Sequence, residues 1–529
     1  MKSKKIIVLL LVGVIHMSLL GNVSAKTVLK PNDFTFVGGF RVPSGLTYPN
    51  GLTHRYINDQ LYLYSISGTG SDKGNVRRYA VPDTLTQTYP FAQVSTSINY
   101  GDIFQDKLVD VVSNGSGGSP PYIGIAGGAT RPGGLFWDEQ DQRLYWTKVV
   151  SYNNTVGVSD AALGYSKLDD VNNTGTGIGS WKLDPPAPAG FGNRWAFTMT
   201  HIPQTIADTY LGGRRLGVGF GGGVSIISNG PPSIGPALFA IEPPSLVNEA
   251  HLDYVSTRPI EMLSHPATLT RATRPDGQEY AGYSLRASGY AGTTEYWYDE
   301  DTGAHGVWID TPDKHGVISF VSMGGGNADT TILSSPTPTS TAFAVVDPGD
   351  IRFGDIIRVD TSVIRSSSYA WQIGRVQSVD GNIITLQSAV PGTPTVGGRV
   401  VCGTWYDAGG PATSRIWHPW YIYNPDDLVA AATGVKNPSE LTPTFKGQVD
   451  LFGVDYPLPG VPAGASRPYQ PSGATFDEVT NRLYLASRIG GGGMEVRVYQ
   501  LNAEISDSPV HVDPVTTPIP EPPPVLRLQ

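Results

Sequence analysis

The chain has 529 residues, a formal charge of −9 at pH 7 and 40% hydrophobic residues. So acidic a chain is a poor partner for nucleic acid, whose binding draws most of its affinity from a basic surface. Cys402 is the one cysteine, which excludes an intramolecular disulfide and a thiolate metal cluster, so stability rests on burial.

Residues 1–25 read as an export signal. Lys2, Lys4 and Lys5 form a basic start, an apolar run follows, and Val23-Ser24-Ala25 is a small-residue cleavage site. The mature chain is expected to begin near Lys26, with its formal charge moved to −12, and to be secreted, periplasmic or held at the cell surface. No later stretch approaches the ~20 apolar residues of a membrane span. The 64 glycines and 43 prolines punctuate the chain throughout, which favours many short strands over long helices.

Three segments share one grammar. "RPGGLFWDEQDQRLYWT" (131–147) and "QPSGATFDEVTNRLYLAS" (470–487) each have a glycine, an apolar stretch, an Asp, four residues, an Arg and Leu-Tyr; "NGLTHRYINDQLYLYS" (50–65) is a looser copy. The grammar predicts a β-hairpin: the Asp carboxylate accepts backbone N–H bonds to start the turn, and alternating apolar and aromatic residues pair the strands. A third strand is expected after each, in "NVRRYAVP", "ALGYSKLD" and "MEVRVYQLN". "FTFVGGFRVP" near Lys26 is a lone strand with no preceding partner, and the last repeat is one strand short of four. Pairing Phe34 to Val42 with Met494 to Leu501 would close a ring and leave no long open edge.

The repeated unit resembles the blades of secreted bacterial β-propellers, the broad group of NHL, YVTN, gluconolactonase-like and polysaccharide-lyase rings. The resemblance implies an all-β propeller of six or seven blades, with five allowed, and does not by itself select a function. "RWAFTMTHIPQT", "RRLGVGFGGG" and "PALFAI" supply a further blade, and "GVWIDTPDKHGVISFVSMGGG" supplies strands around a turn. Residues 345–402 break the repeat and read as an inserted small β-barrel or sandwich between propeller segments 26–344 and 403–505. The proline-dense residues 506–529 read as an extended linker.

In a propeller the residues just before each inner strand surround one end of the channel. Tyr48 and Asn50, Arg131, Asn193 and Arg194, Lys314 and His315, Arg415 and His418, and Tyr469 and Gln470 are expected there, with several basic groups among them. A locally positive mouth would attract an anionic ligand. This points to a lyase acting on a uronic-acid polysaccharide. Arg131 would neutralise the sugar carboxylate, His315 or Tyr469 would act as base or proton donor, and Arg194, Lys314, Asn50, Trp195, His418 and Gln470 would hold substrate. The rival reading is a non-catalytic binding platform. Asp299, Glu300 and Asp301 have a D-x-D-x-G spacing that suits Ca²⁺ as well as an ordinary hairpin turn, and no metal ligand is assigned. The expected partner is an extracellular polysaccharide.

Overall fold

The computed structural model describes residues 26–502 apart from 44–48, 69–71, 89–90, 95–96, 106–111, 114–121, 124–129, 151–160, 183–197, 220–236, 244–258, 265–270, 274–278, 285–295, 298–304, 321–322, 326–327, 350, 352–355, 364–370, 403, 408–409, 414, 418, 449–470 and 490–492. The chain is predominantly β, and no helix among the described residues is long and apolar enough to cross a membrane.

Five sheets, each with four antiparallel strands and one of them with a short parallel strand added, form the ring among the described residues. The first contains Pro49–Ile57, Gln60–Ser67, Asn75–Ala80 and Ile98–Asp102; the second Thr130–Asp138, Arg143–Val150, Ala161–Asp169 and Thr174–Lys182. The third contains Thr198–His201, Leu216–Gly219, Leu238–Ile241 and Ile260–Leu263; the fourth His305–Asp310, Lys314–Phe320, Pro419–Tyr423 and Phe445–Gln448. The fifth runs Pro471–Asp477, Arg482–Ile489, Gly493–Leu501 and then, from the far end of the chain, Phe34–Val42. That last pairing sets Phe34 opposite Leu501 and Val42 opposite Met494. The first strand of each sheet packs beside the first strands of two others, in the cyclic order one, two, three, four, five and back to one. The result is a propeller-like ring.

The repeat explains how the ring is filled. Successive side chains of a strand point to opposite faces, so a strand inside such a ring buries one set against each neighbouring sheet. In the second sheet Leu144 and Trp146 join Tyr64 and Ile66 of the first, whereas Tyr145 joins Met199 and Val218 of the third. In the fifth, Leu483 and Leu485 pack toward the fourth sheet and Tyr484 toward the first. In the Leu-Tyr pairs of these two sheets, Leu turns to the sheet before and Tyr to the sheet after. Each fully buried side chain of this size stabilises by about 1.5–3 kcal/mol. An apolar cluster fills every one of the five sheet-to-sheet interfaces.

The turns follow the sequence logic closely. Asn58 and Asp59 both have positive φ, 49° and 64°, the geometry of a two-residue hairpin whose twist matches the strands. In the longer turns Asp138 Oδ1 accepts from the amides of Gln140 and Asp141, and Asp477 Oδ1 from that of Val479. Gln142 and Asn481 end those turns in the left-handed region, each at φ 52°.

Between the second and third strands of the fourth sheet the chain lays down a six-stranded sheet from Ala328–Thr331 to Arg399–Cys402, beginning ahead of Val345. Bridging of Ile332 to Val345 joins its two outer strands into a barrel. The barrel has its own core, including Phe343, Ile357, Val376, Ile384 and Val400. Thr27–Val28 adds to the fourth sheet in parallel, beside Lys314 and His315.

Candidate functional site

Because strands alternate in direction, the first strands of all five sheets end at the same side of the ring. A cavity of about 410 Å³ opens there, between the C-terminal halves of those strands. That volume falls in the range of small-molecule sites, about 300–1,000 Å³. Its walls come from every sheet: His54 and Tyr56 from the first, Phe136 and Trp137 from the second, His201 from the third, Trp308 from the fourth, and Thr475 and Asp477 from the fifth.

Threonines stitch the walls together. Thr53 Oγ1 accepts from the Trp137 amide at 2.9 Å, and Thr200 Oγ1 from the Trp308 amide at 2.8 Å. Thr475 Oγ1 lies 2.8 Å from His54 Nδ1. These bonds tie adjacent sheets, and strand residues supply most of the cavity wall, with Glu139, Gln140, Glu478 and Val479 added by the turns.

Two imidazoles face the space. Burial holds His54 below its ordinary value of 6.5, opposed by the Asp477 and Glu139 carboxylates. Burial also lowers His201, with Asp138 opposing and Arg215 reinforcing, and the His201 ring stacks on Phe136 at 6.1 Å and 6°. Both rings are therefore neutral at pH 7, each able to donate and accept one hydrogen bond.

The cations of the cavity are engaged. Arg55 spans the Trp137 ring at 4.0 Å and donates to Asp170 Oδ2 at 2.7 Å. Arg215 lies 2.7 Å from Asp138 Oδ2 and 2.8 Å from Asp141 Oδ2. Among the described residues, the hydrogen-bond partners of Asp477 and Glu139 here are neutral. Asp477 accepts from the Tyr56 hydroxyl at 2.9 Å and from Thr480, and Glu139 from Trp137 Nε1 at 2.9 Å and Gln142 Nε2 at 2.6 Å. Burial, then the Asp310 and Asp477 charges, raise Glu478 above the usual carboxylate range.

The described residues among those singled out from sequence do not line this cavity. Asn50 stands near the start of the first strand of its sheet, at the opposite end from the cavity; it is buried, its Nδ2 donates to the Pro132 carbonyl at 2.8 Å and its Oδ1 accepts from Arg488. The backbone of Arg131 pairs with Val149 at that same end of the second sheet. Lys314 and His315 do not precede a first strand: they open the second strand of the fourth sheet. Lys314 Nζ contacts Asp33 Oδ1 at 3.0 Å, and His315 is buried with Nε2 lacking a hydrogen-bond partner. Arg415 lies in a short strand paired with Met323–Gly325, before the third strand of that sheet. Tyr48, Asn193, Arg194, Trp195, His418, Tyr469 and Gln470 lie outside the described residues, as do Asp299–Asp301. Among the described residues no group of three or more His, Cys, Asp or Glu is arranged to hold a metal.

The expected residues that are described, Asn50 and the backbone of Arg131, lie at the other end of the first strands from this cavity. The cavity residues His54, Tyr56, Phe136, Trp137, Thr475 and Asp477 all belong to the repeated segments themselves, just before the hairpin turn. Their alignment across the copies was the available signal.

No family model matches the sequence, and no curated protein does. Among solved structures the chain is similar to the holo form of the PQQ domain of pyranose dehydrogenase from Coprinopsis cinerea, at 11% identity and a TM-score of 0.30, over 86% of this chain and 94% of that one. A likeness so distant says nothing of this chain's ligand.

Proposed function

We propose that the protein is an exported five-bladed β-propeller with an inserted barrel that binds an extracellular carbohydrate in its central cavity. One observation carries this reading: a space of about 410 Å³ walled by aromatic rings, hydroxyls and two neutral imidazoles that belong to rigid strands of all five sheets. Aromatic faces with a few fixed polar groups suit sugar rings, which present apolar C–H faces and peripheral hydroxyls.

Binding is favoured over bond cleavage. A lyase acting on a uronic acid needs a cation free to neutralise the sugar carboxylate. Among the described residues the arginines at this cavity, Arg55 and Arg215, are committed to protein carboxylates, as is Lys314. Calorimetric titration of purified protein with a panel of mono- and oligosaccharides, paired with product analysis, tests the reading. Saturable binding that weakens about tenfold, or ~1.4 kcal/mol, in His201→Ala, with no product formed, is expected. Unsaturated sugar ends in the product analysis, or binding indifferent to His201→Ala, would overturn it.

A further inference from the structure

Resting on the carbohydrate reading of the cavity, we infer that its ligand carries free amino groups: the site selects an amine-bearing oligosaccharide and discriminates against a uronic-acid one. The class follows from the charges that surround the cavity, given the topology.

Every turn between the first and second strands of a sheet lies at the end of the ring where the cavity opens. Each of the five turns carries at least one carboxylate, Asp59, Glu139, Asp208, Asp313 and Glu478 in sheet order, and of these Glu139 and Glu478 line the cavity. The cations within these turns are Arg214 and Arg215, both from the third sheet, and Arg215 is held by Asp138 and Asp141. Within the cavity wall, Glu139, Asp477 and Glu478 have no cation within ion-pair distance among the described residues. Asp310, at the end of the fourth sheet's first strand, is matched by Lys26 at 2.7 Å.

Carboxylates that repel one another without a counter-charge favour a cationic guest. Burial raises Glu478 first, with the Asp310 and Asp477 charges adding to it, and a ligand ammonium placed beside it would favour its charged form. Opposite charges a few ångströms apart attract even in bulk water, and more strongly where the wall excludes solvent. A uronate meets the opposite condition, since its carboxylate would enter an acidic mouth whose arginines are engaged. Neutral His54 and His201 then serve the hydroxyls of either kind of sugar, so the charge alone distinguishes them.

The test uses the full chain and four probes of equal length at pH 7: a glucosamine tetramer, its N-acetylated counterpart, a galacturonate tetramer and tetralysine. The glucosamine tetramer is expected to bind at least tenfold more tightly than the acetylated form, the preference falling as salt is raised from 20 to 500 mM. Glu139→Gln combined with Glu478→Gln, where each amide oxygen still accepts a hydrogen bond, should erase most of that preference, read as the ratio of the two affinities in the variant against the ratio in the wild type. Equal binding of amine and acetylated forms, or tighter binding of galacturonate, overturns the amine assignment and leaves the carbohydrate reading standing. Tetralysine binding with no response to any sugar overturns both.

Discussion

A Cβ placed on Gly473 would lie 2.4 Å from the backbone nitrogen of Leu52, across the seam where the fifth and first sheets meet. The relationship recurs around the axis. A Cβ on Gly134 would meet Thr198 at 2.5 Å, and one on Gly51, at φ +64°, would meet the Gly133 carbonyl at 3.0 Å. The glycine of each repeat is thus the point at which one sheet's first strand touches the next. Gly473→Ala and Gly134→Ala are each expected to destabilise by about 1–3 kcal/mol, because the obstacle is backbone and cannot swing aside. Urea melts of the two variants measure it; unchanged midpoints would mean the first strands are not in contact.

Acidification should weaken the fold through His54 and His201. Their folded values are lowered from 6.5, chiefly by burial, so between the lowered value and about 6.5 the unfolded chain binds more protons than the folded one. Stability is then full above that window, rises with pH inside it and is lost as pH falls through it. Thermal melts from pH 8 to pH 5 should show the fall, and His54→Gln should flatten part of it. A wild-type profile flat across that range would remove the argument that these rings are held neutral.

Arg215 holds two carboxylates from the neighbouring sheet, and the side chains of Arg215 and Asp138 are 12% and 7% exposed. Arg215→Ala leaves Asp138 nearly buried and uncompensated, an expected loss of about 3–5 kcal/mol. Asp138→Asn in the same background should recover part of it, since the amide oxygen still accepts the turn N–H groups of Gln140 and Asp141. A double-mutant cycle measures the coupling.

Removal of residues 26–42 should expose the edge of Gly493–Leu501 and drive association, because an unpaired hydrophobic edge templates further strands. Phe40 and Val42 leave the core in the same deletion. A synthetic peptide of residues 26–42 added during refolding is expected to restore a monodisperse species by light scattering. Monodispersity of the truncated chain without the peptide would contradict the edge argument.

The architecture was readable where local chemistry decides it. The Asp-to-Leu-Tyr spacing specifies a hairpin whatever surrounds it, and the two-residue alternation announces strands buried on both sides. The lone strand at Phe34 to Val42 and the three-stranded last repeat each lacked what the other had. The site was less readable, because a side chain's place in a ring depends on which end of its strand it occupies. Lys314 and His315 follow a turn between two strands of one sheet, and nothing local separates that turn from one that leads into a new sheet. His54 and His201 gave no sign on their own: each becomes a cavity residue through neighbours hundreds of positions away, Thr475 for one and Asp138 for the other. The engagement of Arg55 by Asp170 is of the same kind, fixed only when the sheets assemble.

The fastening of the ring also sets a schedule for its formation. Asn502 Nδ2 donates to Thr35 Oγ1 at 2.8 Å across a separation of 467 positions, so the earliest strand of the fold waits for the latest. Contacts this distant slow folding, since the chain entropy of bringing them together is spent before they return any stabilisation. Until that moment two sheet edges stand open, and the cavity, which needs all five walls, does not exist. The cavity is thereby a property of the finished circle, and a chain halted before its final strand has none of it.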